Sequence, residues 1–107
     1  MATVEGERVF LRKASGLIKT ASNTDVFIYD IGLAAERVAA AAAAARALDF
    51  PFTFTARAEN HFRKNPDLED TIRRLQAYEA AGADVLYAPG LRTDDEIRTV
   101  CAAVSKP

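Results

Sequence analysis

From Phe50 to Arg57 the chain alternates in the pattern of a strand. Phe50, Phe52 and Phe54 fall on one face, and Thr53, Thr55 and Arg57 on the other. The pattern predicts a strand over Phe52–Arg57. Burying the three phenylalanines against a helical layer stabilises by roughly 1.5–3 kcal/mol each. A slip of one residue would expose all three and bury Arg57 without a partner. Arg57 is therefore expected at the C-terminal end of its strand, on the face away from the helices, beside the end of a short apolar strand at Asp84–Ala88. Gly16–Lys19 is a weaker third strand.

Helical periodicity predicts three helices. The first covers Ile31–Leu48, capped by Asp30, with Ile31, Ala34, Val38, Ala41, Ala45 and Leu48 on its apolar stripe. Its alanine run, 39–45, either lets it sit close against a sheet or reflects a biased composition. The second starts at Asn65-Pro66-Asp67, carries the stripe Leu68, Ile72 and Leu75, and stops at Gly82. The third opens with the capping box Thr93-Asp94-Asp95-Glu96 and should bury Ile97, Val100, Cys101 and Val104.

Strand and helix thus alternate, which is the repeat of a parallel βα array with right-handed crossovers. The 107 residues are enough for one small domain. A (β/α)₈ barrel needs about 250 residues, so about three of its eight units fit here. The fold class expected is α/β: a partial TIM (β/α)₈ barrel with parallel strands, forming one domain over residues 1–107. The chain stops where a further strand should begin, and a part of something larger is expected over an open miniature.

Charge changes the picture little. Fourteen basic residues nearly balance fifteen acidic ones, so nucleic acid and membrane surfaces are not expected partners. The first ten residues carry Glu5, Glu7 and Arg8 and form no signal peptide, and the alanine run is too short to span a bilayer. The lone Cys101 fits a cytoplasmic location and is read as a buried, inert thiol.

Candidate chemistry gathers after the phenylalanine strand. Arg57 is either paired with a carboxylate or waiting for an anion. Glu59 and Asn60 either line the same strand end or cap the turn that follows. His61, with no second His or Cys nearby, reads as a solvated loop residue rather than a metal ligand. Asp94, Asp95 and Glu96 need no metal as a helix start. Lys19 reads as an exposed strand-end lysine.

An ordered series of segments resembles one family. It runs Tyr29-Asp30-Ile31, Ala35-Glu36-Arg37-Val38, Phe54-Thr55-Ala56-Arg57-Ala58-Glu59-Asn60, Asp67-Leu68-Glu69-Asp70-Thr71-Ile72, Arg74-Leu75-Gln76-Ala77-Tyr78, and 80–91. Residues 29–107 resemble the phosphoenolpyruvate mutase / isocitrate lyase superfamily, in its phosphonomutase-like, 2-methylisocitrate-lyase-like branch; residues 1–28 are a divergent N-terminal segment. The resemblance implies a magnesium-dependent barrel enzyme that makes or breaks C–C or C–P bonds in small oxo or hydroxy carboxylates through a metal-stabilised enolate. It implies that Arg57 binds the substrate's anionic group, with Glu59 and Asn60 beside it.

The departures concern the metal. The family's paired metal-site aspartates and its mobile catalytic loop have no counterpart here. Its Ile-Glu-Asp-like strand end corresponds to Ile18-Lys19-Thr20, which puts a lysine where a cation should bind. The catalytic residues are thus unknown, and no metal ligand is assigned. Magnesium is expected for the full-length family and not for this chain alone. The function expected is that of a fragment or degenerate member of the superfamily, inactive alone. The alternative is a non-catalytic partial-barrel module that self-associates or binds a complementing chain. A carboxylate sensor built on Arg57 is the third reading, set back by the small enclosure that three units provide.

Overall fold

A computed structural model describes residues 2–5, 8–11, 28–63 and 66–107. Its elements in chain order are β1 (Ala2–Glu5), β2 (Arg8–Leu11), α1 (Ile31–Arg46), β3 (Phe54–Arg57), α2 (Asn60–Arg63), α3 (Leu68–Ala80), β4 (Val85–Tyr87) and α4 (Asp94–Ala103). The four strands form one sheet in the order β2-β1-β3-β4. β1 and β3 are parallel, as are β3 and β4. The mixed α/β architecture with parallel strands agrees with the sequence reading. The expected strand at Gly16–Lys19, and Lys19 with it, lies outside the described residues.

The sheet is not all parallel, which corrects one expectation. β1 and β2 pair antiparallel, with Ala2 opposite Leu11 and Glu5 opposite Arg8. Parallel neighbours need a crossover of about a dozen residues or more, and these two strands are too close in sequence for one. Four-residue strands carry too little alternation to stand out in the sequence.

α1 starts as its cap predicts. The Asp30 carboxylate accepts from the backbone N–H of Gly32 at 3.0 Å and of Leu33 at 3.3 Å. Ala34, Val38, Ala41, Ala42 and Ala45 are buried, so small side chains do set this helix close to its neighbours. Leu48 lies beyond the last turn and is exposed. The phenylalanine strand is also shorter than expected. Phe54 and Ala56 are fully buried and Phe52 is partly buried, but Phe50 is 55% exposed. Pro51 has no N–H to give a ladder, so pairing begins only after it. Phe50 instead meets Phe52 edge to face, with ring centroids 6.4 Å apart.

α3 is capped by Asp67, which accepts from Asp70 N–H at 3.0 Å. Its most buried residues are Thr71, Arg74, Leu75 and Tyr78, with Leu68 and Ile72 at the margin of the core. The face is rotated from the expected stripe because Thr71 and Arg74 have buried polar partners. Gly82 ends the helix in the left-handed region, at φ 109°. A side chain there would have its Cβ 3.0 Å from the Cβ of Ala42, so the end of α3 is packed tightly against α1 at this turn. α4 carries the expected capping box but buries only Val100. Ile97 and Cys101 are exposed, against expectation, because α3 is the one described element against which α4 packs.

Asp84 joins three of these pieces. Its carboxylate accepts from Phe54 N–H at 2.8 Å and pairs with Arg46, which also donates to Gly82 O at 3.2 Å. These contacts, the Phe54 N–H first, hold the Asp84 carboxyl below its ordinary pKa. Glu79 fixes the chain after α4 in the same way. It accepts from the backbone N–H of Ser105 at 2.8 Å and of Lys106 at 2.7 Å. Pro107 O then accepts from Leu86 N–H at 2.8 Å, on the β4 edge away from β3.

Candidate functional site

In parallel sheets the C-terminal strand ends gather the loops that carry function. Here β3 delivers Arg57 and β4 delivers Tyr87, and the two are paired in register. The burial of Phe54 and Ala56 turns Thr55 and Arg57 to the other face of the sheet, as expected. The Arg57 guanidinium lies 5.1 Å from the centre of the Tyr87 ring, a cation–π distance. Ala58 N–H continues the ladder by donating to Tyr87 O at 2.9 Å.

Of the two readings left open for Arg57, the structure supplies a carboxylate partner. Its Nε pairs with Glu59 Oε1, with the two side chains 19% and 9% exposed. Two residues apart at the strand end, both project to the same side. Asn60 faces a different environment. Its amide donates to Thr71 Oγ1 at 2.9 Å and to Asp67 O at 3.3 Å. Thr71 itself donates to Asp67 O at 2.9 Å. Asn60 therefore ties the strand end to the first turn of α3, the capping role weighed for it.

His61 corrects an expectation. It is buried within α2, not solvated. α2 turns the chain inward straight after the strand, a feature of four residues with no periodicity to announce it. The imidazole Nε2 lies 4.0 Å from Glu96 Oε1, and no described residue hydrogen-bonds its Nδ1. Glu96 is held by the loop before α4. Its Oε2 accepts from Arg92 N–H at 2.7 Å and Thr93 N–H at 3.3 Å. The Arg92 N–H above all, then burial working the other way, then the Thr93 N–H and the charges of His61 and Arg92 set its pKa, which lies below the ordinary value. His61, Pro66, Gly90, Arg92 and Glu96 line a cleft of about 240 Å³.

Sequence reasoning found Arg57, Glu59 and Asn60 but missed Tyr87, Thr71 and the His61–Glu96 contact. Tyr87 was accessible in principle, since it sits at the end of the neighbouring predicted strand. The His61–Glu96 contact was not, because it joins residues 35 positions apart across two loops. Among the described residues, no group of three or more His, Cys, Asp or Glu is placed to hold a metal ion.

The family model for phosphoenolpyruvate phosphomutase matches residues 14–107. A solved structure from Burkholderia cenocepacia, described as a lyase/mutase, superposes with a TM-score of 0.73 and is 59% identical. The match covers 75% of this chain and 29% of that one. A second structure from the same organism, described as a phosphonomutase, gives a TM-score of 0.68 at 38% identity, covering 75% of this chain and 34% of that one. An oxaloacetate decarboxylase of Bradyrhizobium diazoefficiens is 50% identical over 40 residues, which are 37% of this chain and 14% of that enzyme. The chain thus spans a minor part of each of these relatives.

Proposed function

Since this chain belongs to the phosphoenolpyruvate phosphomutase family, we propose that it forms the anion-binding strand end of a lyase or phosphonomutase. The full enzyme would act on small oxo or hydroxy carboxylates. In this reading β3 with α3 and β4 with α4 are two βα units of a (β/α)₈ barrel, and α1 is the helix of a third. Arg57 receives the substrate's anionic group, and Glu59 holds the guanidinium in place for it. Asn60 anchors the loop that carries both. One observation carries the reading: Arg57 lies at the C-terminal end of a parallel strand, on the face away from the helices, clamped between Glu59 and the Tyr87 ring. An arginine has five donors, so one carboxylate partner does not exhaust it.

Magnesium is the cofactor of the full-length family in this reading. The described acidic side chains do not fit it. Glu59 is committed to Arg57, Asp84 to Arg46 and Glu96 to a helix cap, whereas a magnesium ion needs an octahedron of oxygen ligands. The chain is a fragment or degenerate member in this reading, cytoplasmic, and inactive unless the rest of a barrel is supplied. Incubation with magnesium and 2-methylisocitrate, phosphonopyruvate or oxaloacetate should give no turnover. Oxalate, a small dicarboxylate, should nonetheless bind, and Arg57→Lys should weaken it about tenfold by losing the planar fork. Magnesium-dependent turnover by the chain alone would overturn the inactivity. Equal oxalate affinity in Arg57→Lys would remove the role of Arg57.

A second reading is a non-catalytic module that pairs with itself or with a complementing chain. Its support is the exposure of Tyr87, Phe50, Leu48, Leu33 and Ile97. Sedimentation decides it: a monodisperse monomer at micromolar concentration excludes obligate association.

A further inference from the structure

The cleft beside His61 is distinct from the strand end, since neither Arg57 nor Glu59 lines it. Its chemistry begins with the imidazole, whose side chain is 6% exposed. The Glu96 carboxylate faces Nε2 and favours a proton on that nitrogen. The Arg92 and Thr93 N–H groups keep Glu96 ionised, so its influence persists. Nδ1 is then left with a lone pair, and no described residue donates to it. A buried acceptor without a donor is unfavourable. A ligand that brings a hydroxyl to Nδ1 removes that cost. Arg92, exposed on the same wall, supplies a positive charge with five donors.

We infer that this cleft binds a small oxyanion that also carries a hydroxyl, with Arg92 taking the charge and His61 Nδ1 accepting from the hydroxyl. Hydrogen phosphate and a hydroxycarboxylate share this chemistry. A volume of about 240 Å³ suits a ligand of a few heavy atoms. A divalent cation is disfavoured, because Arg92 sits in the wall and, among the described lining residues, His61 and Glu96 alone offer side-chain ligand atoms. Glu96 also lines the cleft, and its part in this inference is to favour the Nε2-protonated tautomer of His61.

His61 is the chain's one histidine, so its ring nitrogens give unambiguous ¹⁵N resonances. The full chain is titrated with inorganic phosphate and with glycolate, and with chloride at matched ionic strength as the control. The expected result is a saturable shift of Nδ1 with at least one of the two. A response to phosphate alone or to glycolate alone names the source, and both support the inference. Arg92→Ala should weaken the response at least about tenfold. Glu96→Gln keeps an oxygen for the helix cap but loses the charge, and should mix the two tautomers in the ¹⁵N shifts. No saturable shift up to about 50 mM, far weaker than a millimolar site, overturns the inference. So does an equal shift with chloride, or unchanged affinity in Arg92→Ala. None of these outcomes bears on Arg57, which is read by oxalate binding.

Discussion

Phe54 and Arg57 stand three residues apart on one strand and serve opposite faces of the sheet. Phe54 is fully buried among α1 and α3 residues, so Phe54→Ala should destabilise by roughly 3–5 kcal/mol in urea denaturation. An Arg57 waiting for an anion would make Arg57→Ala nearly silent for stability. The Glu59 partner changes that. Removing the guanidinium takes an ion-pair partner from a buried carboxylate, and the expected cost is about 2 kcal/mol. Glu59→Gln is expected to cost less, since the charge that loses its ion-pair partner is the less buried of the two. If Arg57→Ala leaves the urea midpoint in place, the pair is not holding the strand end. The residue types at this site were legible as a cluster. Which of them paired was not, because strand periodicity says which face a side chain takes and nothing about its partner.

At the scale of elements, the two helix boundaries that the sequence marks most clearly make separate predictions. Thr93 Oγ1 accepts from Glu96 N–H at 3.1 Å, closing the capping box of α4. Thr93→Ala should lower stability by about 1 kcal/mol. Thr93→Ser should recover most of it, since a hydroxyl is all the cap needs; failure of the serine to rescue would mean that the loop is held by other contacts. Gly82 is a stricter site, because it combines a positive φ with contact to α1. Gly82→Ala should cost more than the roughly 1 kcal/mol of left-handed strain alone, as the new methyl must push Ala42 away. The double variant Gly82→Ala with Ala42→Gly should regain part of that loss; additive costs would show that the two helices do not meet there.

At the scale of the whole molecule, three of the described carboxylates fasten chain segments, two of them across long separations in sequence. Asp84 links β3 to α1, Glu79 holds the segment after α4, and Glu96 closes the loop before it. All three have folded-state pKa values below their ordinary ones. The unfolded chain therefore takes up protons first as pH falls. The stability they contribute is fully present above the ordinary values of 4.5 for Glu79 and Glu96 and 3.8 for Asp84. It is lost as pH drops through the lower folded-state values. The urea midpoint should hold steady from pH 7 to 5 and fall below about pH 4. Asp84→Asn should flatten part of that fall. A midpoint that rises on acidification would contradict the assignment.

The sequence by itself determined the local elements and the family. Asp30, Asp67 and Thr93 mark helix starts through contacts within four residues, and Gly82 marks a stop through its own backbone freedom. The ordered motifs from Tyr29 onward identified the family, because a motif is read in the same one-dimensional order in which it is written. Only the tertiary structure decided where helix faces end and which polar groups meet. Phe50 and Cys101 are apolar in pattern but lie past the reach of the core. Thr71 and Arg74 are polar yet buried, because Asn60 and the Tyr29 carbonyl reach them from far along the chain. His61 reads as a loop residue until α2 folds it against Glu96. In each case burial depends on what packs opposite, and a residue's own neighbours in sequence do not contain that information.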